Sequence, residues 1–316
     1  MDKIKILNNL NDYISVIITA YDRRDYIKQA LNSLMQQTVN AFETIVVTNF
    51  EMDLSQFNKL NPRHIVVPKD QRHLLFRGIL EARGNILAFL EDDDLFLPNK
   101  IEWVYKVFRE RGVVYYHNDY RSIDAHGNKI VFRNEDNYFN LSCVSVKKNI
   151  INAEIMKNIW GISDFSLFVS ALISKGRIIH DSRVLTVYRL HSSNNSRIEI
   201  ESFEEFKKNG IYLHRRFLFQ LTQLLLLIND DLARRVILYK ILDEKFTLML
   251  LGDESVNISI RDTVFFLLCS TTKVPNVLGI SRFYPVKIFF GSTILRFKAV
   301  AIMYNRHKNF INVIER

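Results

Sequence analysis

Four consecutive carboxylates, Glu91-Asp92-Asp93-Asp94, directly follow the apolar segment 86–90 of this 316-residue chain. Adjacent carboxylates repel one another unless water or a cation neutralises them. Oxygen ligands of this kind suit Mg²⁺ or Mn²⁺, which can bridge a protein carboxylate and a diphosphate. The four residues therefore predict a divalent-cation site. A solvated acidic turn, in which Asp93 or Asp94 caps the next helix, is equally compatible with these residues taken alone.

The elements ahead of this acidic group alternate between strand and helix patterns. Apolar, β-branched runs predict strands, and apolar residues three or four apart predict helices. The strands are expected at 13–20, 42–48, 64–67 and 86–90, and the helices at 27–34 and 74–83. Such alternation indicates a mostly parallel sheet with helices on both faces. Ligands of open α/β sheets bind at the carboxyl ends of the strands, which selects 19–22, 48–51 and 91–94 as candidate site segments.

The pattern continues to about residue 197 and then changes. A helix is expected to begin at Pro98, followed by a strand at 113–117, a hairpin turn at 124–128, a strand at 130–132, a helix at 164–175 and strands at 177–180 and 184–188. One α/β domain over residues 1–197 accounts for these elements. Residues 198–316 show long helical patterns at 203–228, 232–251, 261–270 and 284–304, which predicts a helical C-terminal region.

The composition indicates a folded protein of a reducing compartment. Hydrophobic residues make up 48% of the chain, enough to fill a sizeable core. Both cysteines, Cys143 and Cys269, stand in apolar surroundings that are typical of reduced, packed thiols. The first residues lack the features of a secretory signal, and no apolar stretch approaches the roughly 20 residues that span a bilayer. The expected location is the cytoplasm.

The basic excess of the chain lies in its tail. The formal net charge is +9, and residues 263–316 contribute +7 of it through eight Lys and Arg against Glu315. Aromatic and aliphatic residues among these cations are typical of helices at an anionic membrane surface. This predicts peripheral contact with the inner face of a membrane. The alternative is a tail packed on the catalytic domain or on a second copy in a homo-oligomer. No RNA- or DNA-binding module is recognised, so no nucleic-acid partner is expected.

Several ordered motifs over about residues 13–197 resemble those of the family 2 glycosyltransferases. They are Ser15-Val-Ile-Ile-Thr-Ala-Tyr21, Gln37-Thr38, Phe42-Glu43, the segment 84–95 that ends in the acidic group, Pro98, Ser163-Asp164-Phe165 and Tyr188-Arg-Leu-His191. The resemblance implies the GT-A fold, a Rossmann-like and mostly parallel sheet domain, followed here by an α-helical C-terminal extension. It also implies inverting transfer of a sugar from a nucleoside-diphosphate sugar, with a UDP-sugar expected first, to a glycan or lipid-linked acceptor.

The resemblance assigns roles to the acidic group and to the end of the first strand. Asp93 matches the residue that binds the divalent metal, Mn²⁺ or Mg²⁺, with Glu91 at the first position of the Asp-x-Asp motif. Asp92 is expected near the ribose. Thr19 and Tyr21 match positions that contact the nucleotide. The metal would act as a Lewis acid on the departing diphosphate.

Two later residues also receive roles from the resemblance. Asp164 matches the general base that removes a proton from the attacking acceptor hydroxyl. His191, in the Tyr-Arg-x-His element, is expected to reach the metal or the diphosphate, because imidazole is an acceptable Mn²⁺ ligand. Taken alone, Asp164 would be interpreted as a helix cap and His191 as a packed or solvated side chain.

The chain departs from the family pattern at two nucleotide-contact positions. Asn49 stands where the family usually has an aspartate that accepts a hydrogen bond from uracil; its carbonyl can accept but carries no charge. The segment 74–76 replaces an Ala-Arg-Asn element whose arginine faces the diphosphate. We predict that Arg77 supplies this charge, with Arg72 and His73 as neighbouring candidates; solvated surface charges are an equally open interpretation of these residues.

Two other functions remain open from the sequence. A nucleotidyltransferase of related fold would carry a Gly-rich phosphate loop near its N-terminus, and Ala20-Tyr-Asp-Arg-Arg24 contains no glycine. A non-catalytic nucleotide-sugar-binding protein is compatible with Asn49 and with the missing Ala-Arg-Asn element. The presence of Asp93, Asp164 and His191 together favours catalysis.

Overall fold

The computed structural model describes residues 13–68, 74–130, 140–159, 161–191, 202–278, 284–293 and 300–305. Their contacts divide the chain into two compact units, residues 1–123 with 129–189 and residues 124–128 with 190–316. The prediction that residues 1–197 form the nucleotide-binding catalytic domain concerns function as well as contacts, and it stays a prediction.

The frame of the first unit is a sheet with nine strands in the described part of the chain. The strands are β1 Ile14–Ala20, β2 Phe42–Thr48, β3 Arg63–Val66, β4 Ile86–Glu91, β5 Leu95–Phe96, β6 Val113–Ile123, β7 Lys129–Ile130, β8 Val144–Lys147 and β9 Arg177–Arg189. Their order is β3-β2-β1-β4-β8-β6-β9-β5, with β7 paired to β6. Strands β1 to β4 pair in parallel, as do β6 and β9, whereas β5, β7 and β8 run antiparallel to their neighbours. The predicted α/β class is confirmed; in the described residues the sheet is mixed, with four parallel and four antiparallel strand pairings.

Five α-helices accompany this sheet in the described residues. They are α1 Ile27–Met35, α2 Leu74–Glu81, α3 Lys100–Phe108, α4 Ala153–Asn158 and α5 Ser163–Ser174. Helix α1 buries an apolar stripe three or four residues apart, which explains its prediction from periodicity. Helix α2 packs closely on the sheet at Gly78, where a Cβ atom would lie 2.5 Å from Cγ2 of Ile17. A side chain there would push α2 away from β1.

The register of the parallel strands brings the predicted site segments to one edge. Thr19 of β1 pairs with Val47 of β2 on one side and with Glu91 of β4 on the other. Strands β1, β2 and β4 are buried almost throughout, so their sequences are nearly continuous apolar runs. Only their carboxyl ends carry polar side chains into the loops that follow.

The strand after the helix α5 differs from its prediction. The polar residues 181–183 were expected to separate two strands, but β9 continues through them and its pairing with β6 shifts there. A β-bulge absorbs extra residues without ending a strand, which is why polar residues interrupt the apolar pattern but not the ladder.

Lys100, the first residue of α3, is completely buried in the first unit. Its Nζ atom donates to Oδ1 of Asn118 on β6 and lies 5.0 Å from the ring centroid of Phe96. Asn118 in turn donates to Oγ1 of Thr186 on β9 at 3.0 Å. Burial lowers the pKa of Lys100 to about 8. This chain of contacts ties α3 to both long strands of the sheet.

We predict that Lys100→Met changes the pH dependence of stability. Because the unfolded chain holds this proton more tightly than the folded chain, wild-type stability should rise with pH between the folded pKa of about 8 and the unfolded value of 10.5. Relative to Lys100→Met, the gain is on the order of 2–3 kcal/mol in the free energy of unfolding between pH 7 and 10.5. Urea unfolding at both pH values measures it. Lys106→Met, an exposed position of the same helix, is the control; identical pH profiles for the three proteins would contradict the prediction.

The second unit is helical in its described residues. Its helices are α6 Phe203–Leu227, α7 Asp231–Leu251, α8 Ile260–Leu268, α9 Val274–Leu278 and α10 Tyr284–Thr293, with residues 300–305 also helical. Ser202, Asp230 and Ser259 cap the first three through side-chain oxygens. The rings of Tyr239, Phe246 and Phe266 pack together between α7 and α8.

The tail is described only in part. Of its eight cations, Lys273 and Lys287 are described and exposed, whereas the other six lie outside the described residues. No helix in the described residues is both long enough and apolar enough to cross a bilayer.

Cys143 and Cys269 are buried free thiols. Burial raises the pKa of both, to about 12 for Cys143 and about 11 for Cys269.

Candidate active site

The acidic group forms a buried turn at the carboxyl end of β4. Glu91 ends the strand, and the N–H of Asp94 donates to the Glu91 carbonyl at 3.2 Å. Asp92, Asp93 and Asp94 are only 1%, 4% and 0% exposed. Among the described residues, Asn99 precedes α3 without a side-chain capping bond, so neither Asp93 nor Asp94 caps that helix. The alternative of a solvated, capping turn does not describe this structure.

Burial and mutual repulsion raise the pKa values of this group. Burial, then the charges of Asp93, Asp94 and Asp164, raise the pKa of Glu91 well above its usual range. Burial and Asp93 raise the pKa of Asp92 to about 7, and the same two causes raise that of Asp94. Within the described residues, Oδ2 of Asp92 is buried without a hydrogen-bond partner. Buried polar atoms are normally paired, so this group favours an added cation.

Arg23 is the cation that contacts the acidic turn from the loop after β1. Its Nη2 atom lies 2.5 Å from Oδ1 of Asp92, and its Nη1 atom lies 2.8 Å from Oδ2 of Asp93. Arg23 was not predicted as a site residue. The available signal was its position directly after the segment 19–22, at the strand edge already selected as the ligand-binding edge.

Arg189 holds the backbone of the same turn. Its N–H donates to Oδ1 of Asp94 at 3.0 Å, and its Nε donates to the carbonyl of Asp93 at 3.0 Å. Its Nη2 donates to Oε1 of Gln29 at 2.7 Å, and the whole residue is only 2% exposed. The Tyr-Arg-x-His element therefore contributes its arginine to the turn. The sequence assigned no role to this residue.

His191 was a predicted metal ligand, whereas Ser142 was not predicted. His191 is 3% exposed and belongs to the second unit, and its role as a metal ligand stays a prediction. Ser142 accepts the Glu91 N–H through Oγ at 3.0 Å, which fixes the last residue of β4. Sequence analysis had no signal for Ser142, because the pair is separated by 51 residues.

Asp164 lies in the first turn of α5, close enough to the acidic group to affect its charge. Its negative charge contributes to raising the pKa values of Glu91 and Tyr115, after burial as the main cause. The N-cap of α5 is Ile162, so Asp164 is not the capping residue. Its Oδ1 atom accepts the N–H of Phe165 at 2.8 Å. The structure thus places the predicted base beside the predicted metal site, and its role stays a prediction.

The predicted nucleotide contacts lie at the ends of β1 and β2. Thr19 is partly buried in register with Glu91, and Tyr21 follows the strand with partial exposure. Asn49 exchanges two hydrogen bonds with Asp22: its Oδ1 accepts the Asp22 N–H at 2.9 Å, and its Nδ2 donates to Asp22 Oδ1 at 2.8 Å. Asp22 has a φ of 53°, a left-handed conformation that this exchange holds. Asn49 therefore links the two loops, and its part in base contact stays a prediction.

Arg77 points away from the acidic turn. Its Nη2 atom pairs with Glu81 at 2.6 Å on α2, and half of its side chain is exposed. Glu81 also pairs with Arg63, the first residue of β3, at 2.8 Å. The pair directs Arg77 toward the amino end of the sheet rather than toward the strand ends that carry the site. Arg72 and His73 lie outside the described residues.

The carboxylates fit a cation that is shared with a phosphate ligand. Among the described residues, no three His, Cys, Asp or Glu side chains form a group that could hold a metal ion by themselves. Mg²⁺ is commonly bound by only one or two carboxylates together with the phosphates of a substrate. The buried, unpartnered Oδ2 of Asp92 next to Asp93 suits that mode of binding.

A sheet with an acidic turn at the carboxyl end of a parallel strand occurs in proteins of the GT-A fold, and solved structures confirm this fold for the chain. Residues 1–349 of TarS from S. aureus in complex with UDP-GlcNAc match with a TM-score of 0.55 and 15% identity, over 93% of this chain and 92% of that one. The mannosyltransferase PcManGT from Pyrobaculum calidifontis, in complex with GDP-Man and Mn²⁺, matches with a TM-score of 0.53 and 10% identity, over 92% of each chain. At these identities the likeness shows the fold alone.

Residues 15–153 match the model of the family described as Glycosyl transferase family 2. An uncharacterized glycosyltransferase of Rickettsia bellii is 32% identical over 124 residues, which are 36% of this chain and 18% of that protein. The chain spans about a fifth of the length of the first curated relatives that it matches. The predicted resemblance to the family 2 glycosyltransferases is thereby confirmed over residues 15–153.

Proposed function

We propose that this chain is an inverting, metal-dependent hexosyltransferase that moves a sugar from a nucleoside-diphosphate sugar to an acceptor hydroxyl. The observation that carries the proposal is the buried acidic turn at the carboxyl end of β4, inside the segment that matches family 2. Burying three adjacent aspartates is costly unless a cation neutralises them. A cation bound to these carboxylates would also neutralise the diphosphate of the donor. The burial of the three aspartates would then serve donor binding.

A Mn²⁺ or Mg²⁺ ion would be held by Asp93, with Glu91 and His191 as further ligands. When bound, the metal supplies Lewis-acid stabilisation of the negative charge that develops on the departing diphosphate. Asp92 is assigned to the ribose side. Arg189 and Ser142 keep the turn in place through the main-chain bonds described above.

Asp164 is the proposed general base. The acceptor oxygen attacks the anomeric carbon, its proton passes to the Asp164 carboxylate, and the bond from the anomeric carbon to the diphosphate oxygen breaks. A single displacement of this kind inverts the configuration at the anomeric carbon. The position of Asp164 supports the assignment, because its charge contributes to the raised pKa of Glu91 in the acidic turn.

The donor is proposed to be a UDP-sugar. TarS was crystallised with UDP-GlcNAc, whereas PcManGT was crystallised with GDP-Man and Mn²⁺, so proteins of this fold bind nucleotide sugars of either base. Thr19, Tyr21 and Asn49 would contact the nucleotide from the ends of β1 and β2. Arg77 stays a predicted diphosphate contact, although its pair with Glu81 does not support that role.

The acceptor is proposed to be a glycan or a lipid-linked glycan at the inner face of a membrane. Helix α8 supports a surface contact, because Ile260, Val264 and Leu268, four residues apart, are 85%, 48% and 57% exposed. The exposed Lys273 and Lys287 follow in the chain. The alternative is that a second copy of the chain packs on the same face of α8.

A thermal-shift screen tests the donor proposal. UDP, GDP and ADP are each added with Mn²⁺, with Mg²⁺ and with EDTA. We expect UDP with Mn²⁺ to raise the melting temperature by several degrees, and UDP with EDTA to have little effect, because a ligand that binds the folded state stabilises it. The proposal is contradicted if none of the three nucleotides stabilises the protein in either metal.

A further inference from the structure

Arg23 occupies the same two carboxylates to which the proposed metal and ribose contacts are assigned. Its guanidinium bridges Oδ1 of Asp92 and Oδ2 of Asp93 at 2.5 and 2.8 Å. The Arg23 side chain is 23% exposed, whereas those of Asp92 and Asp93 are 2% and 5% exposed. The guanidinium therefore contacts buried carboxylates while part of the Arg23 side chain is open to solvent.

A divalent cation and this guanidinium would compete for Asp93. A metal bound to a carboxylate oxygen sits about 2.1 Å from it. A guanidinium bonded to the same carboxylate would then lie only a few ångströms from the metal, and two positive charges at that distance repel each other strongly away from bulk water. Asp22 and Arg24 tie this loop to Asn49 and to the Glu51 carbonyl, so the exchange requires only the Arg23 side chain to change its partner.

The other arginines near the turn are already engaged. Arg189 is buried, with its side chain bonded to the Asp93 carbonyl and to Gln29. Arg77 pairs with Glu81 on α2. Arg24 donates to the Glu51 carbonyl at 2.9 Å and lies over the ring of Phe50. Of these four described arginines, Arg23 is the one whose side chain contacts the acidic turn and is partly exposed.

We propose that Arg23 is an exchangeable counter-ion of the active site: it neutralises Asp92 and Asp93, yields Asp93 to the divalent cation, and then pairs with the donor diphosphate. The inference rests on the proposed function. In this role, Arg23 gives the diphosphate the positive charge that the missing Ala-Arg-Asn element would otherwise supply. Arg23 is thus a positioning residue toward the metal and a binding residue toward the donor.

The test compares wild type with Arg23→Gln, with Arg24→Gln as the charge-matched neighbouring control. Binding of Mn²⁺ alone is followed by the electron paramagnetic resonance of free Mn²⁺. Without the competing charge, Arg23→Gln should bind Mn²⁺ about tenfold more tightly than wild type. Binding of UDP at saturating Mn²⁺ is followed by calorimetry, and here Arg23→Gln should bind about tenfold more weakly, because a charge-assisted contact is lost. Arg24→Gln should change Mn²⁺ binding less than twofold.

The opposite signs separate this role from general damage, since a misfolded site would weaken both ligands. Arg23→Lys keeps the charge but loses the two-pronged contact, so its affinities should fall between those of wild type and Arg23→Gln. Unchanged or weaker Mn²⁺ binding by Arg23→Gln overturns the competition, and unchanged UDP binding overturns the transfer to the diphosphate. If wild type binds both ligands and Arg23→Gln matches it, only the role of Arg23 fails. If wild type binds neither, the proposed function fails, and this inference with it.

Discussion

Replacing Asp164 by Asn should reduce turnover at least about a thousandfold, while donor binding stays within about twofold of wild type. The amide has nearly the size of the carboxylate and can still accept the N–H of Phe165, which is bonded to Oδ1 at 2.8 Å. It cannot take a proton from the acceptor hydroxyl. Release of UDP from a UDP-sugar in a coupled assay measures turnover, and calorimetry measures binding.

Asp231→Asn is the matched control for this experiment. Asp231 stands in the first turn of α7 as Asp164 does in α5, but it is exposed and belongs to the helical unit. The Asp231→Asn variant should have the same turnover as wild type. An Asp164→Asn enzyme that keeps more than a tenth of wild-type turnover would remove Asp164 as the base. A wild type that binds the donor without any turnover would instead favour the non-catalytic sugar-nucleotide-binding protein.

Replacing Asp93 by Asn should weaken Mn²⁺ binding about a hundredfold, by the removal of one charged ligand from a site that has few. UDP binding should then become nearly insensitive to Mn²⁺. Titration calorimetry of Mn²⁺ and of UDP, with and without the metal, measures both effects. Asp92→Asn serves as the comparison: it should weaken UDP and keep its dependence on Mn²⁺, because Asp92 is assigned to the ribose side.

A different result would assign the metal to another carboxylate of the turn. If Asp93→Asn binds Mn²⁺ as wild type does while Glu91→Gln loses it, the cation is held at the first position of the acidic group. Circular dichroism and urea unfolding control for the fold, because Asp93 also pairs with Arg23 at 2.8 Å.

The buried strands could be predicted from the sequence because their environment leaves a direct pattern. Strand β2 was expected at 42–48 and is found there, and every one of its residues is buried. Strands β5 and β8 were missed. The first has only two residues, and the second carries the polar Ser145, buried between two neighbouring strands, which breaks the apolar run. Helices α4 and α9, with six and five residues, are too short to show a helical period.

The site was predictable where residue type alone suggested the chemistry. The acidic turn and the first-turn position of Asp164 could be located from the ordered motifs. Arg23 and Arg189 could not, because their partners in the turn lie about 70 and 96 residues away and such contacts leave no local pattern. The orientation of Arg77 was within reach, since Arg77 and Glu81 stand four apart on a helix, a spacing that favours an ion pair.

The most direct test of the site is the position of the metal itself. Crystals of the protein grown with UDP and Mn²⁺ are measured at the manganese absorption edge, so that anomalous scattering locates the ion. We predict one strong anomalous peak within about 2.3 Å of an Asp93 carboxylate oxygen, with the diphosphate of UDP among its other ligands. Nucleotide bound at the strand ends without a peak at Asp93, or bound elsewhere on the protein, would contradict it.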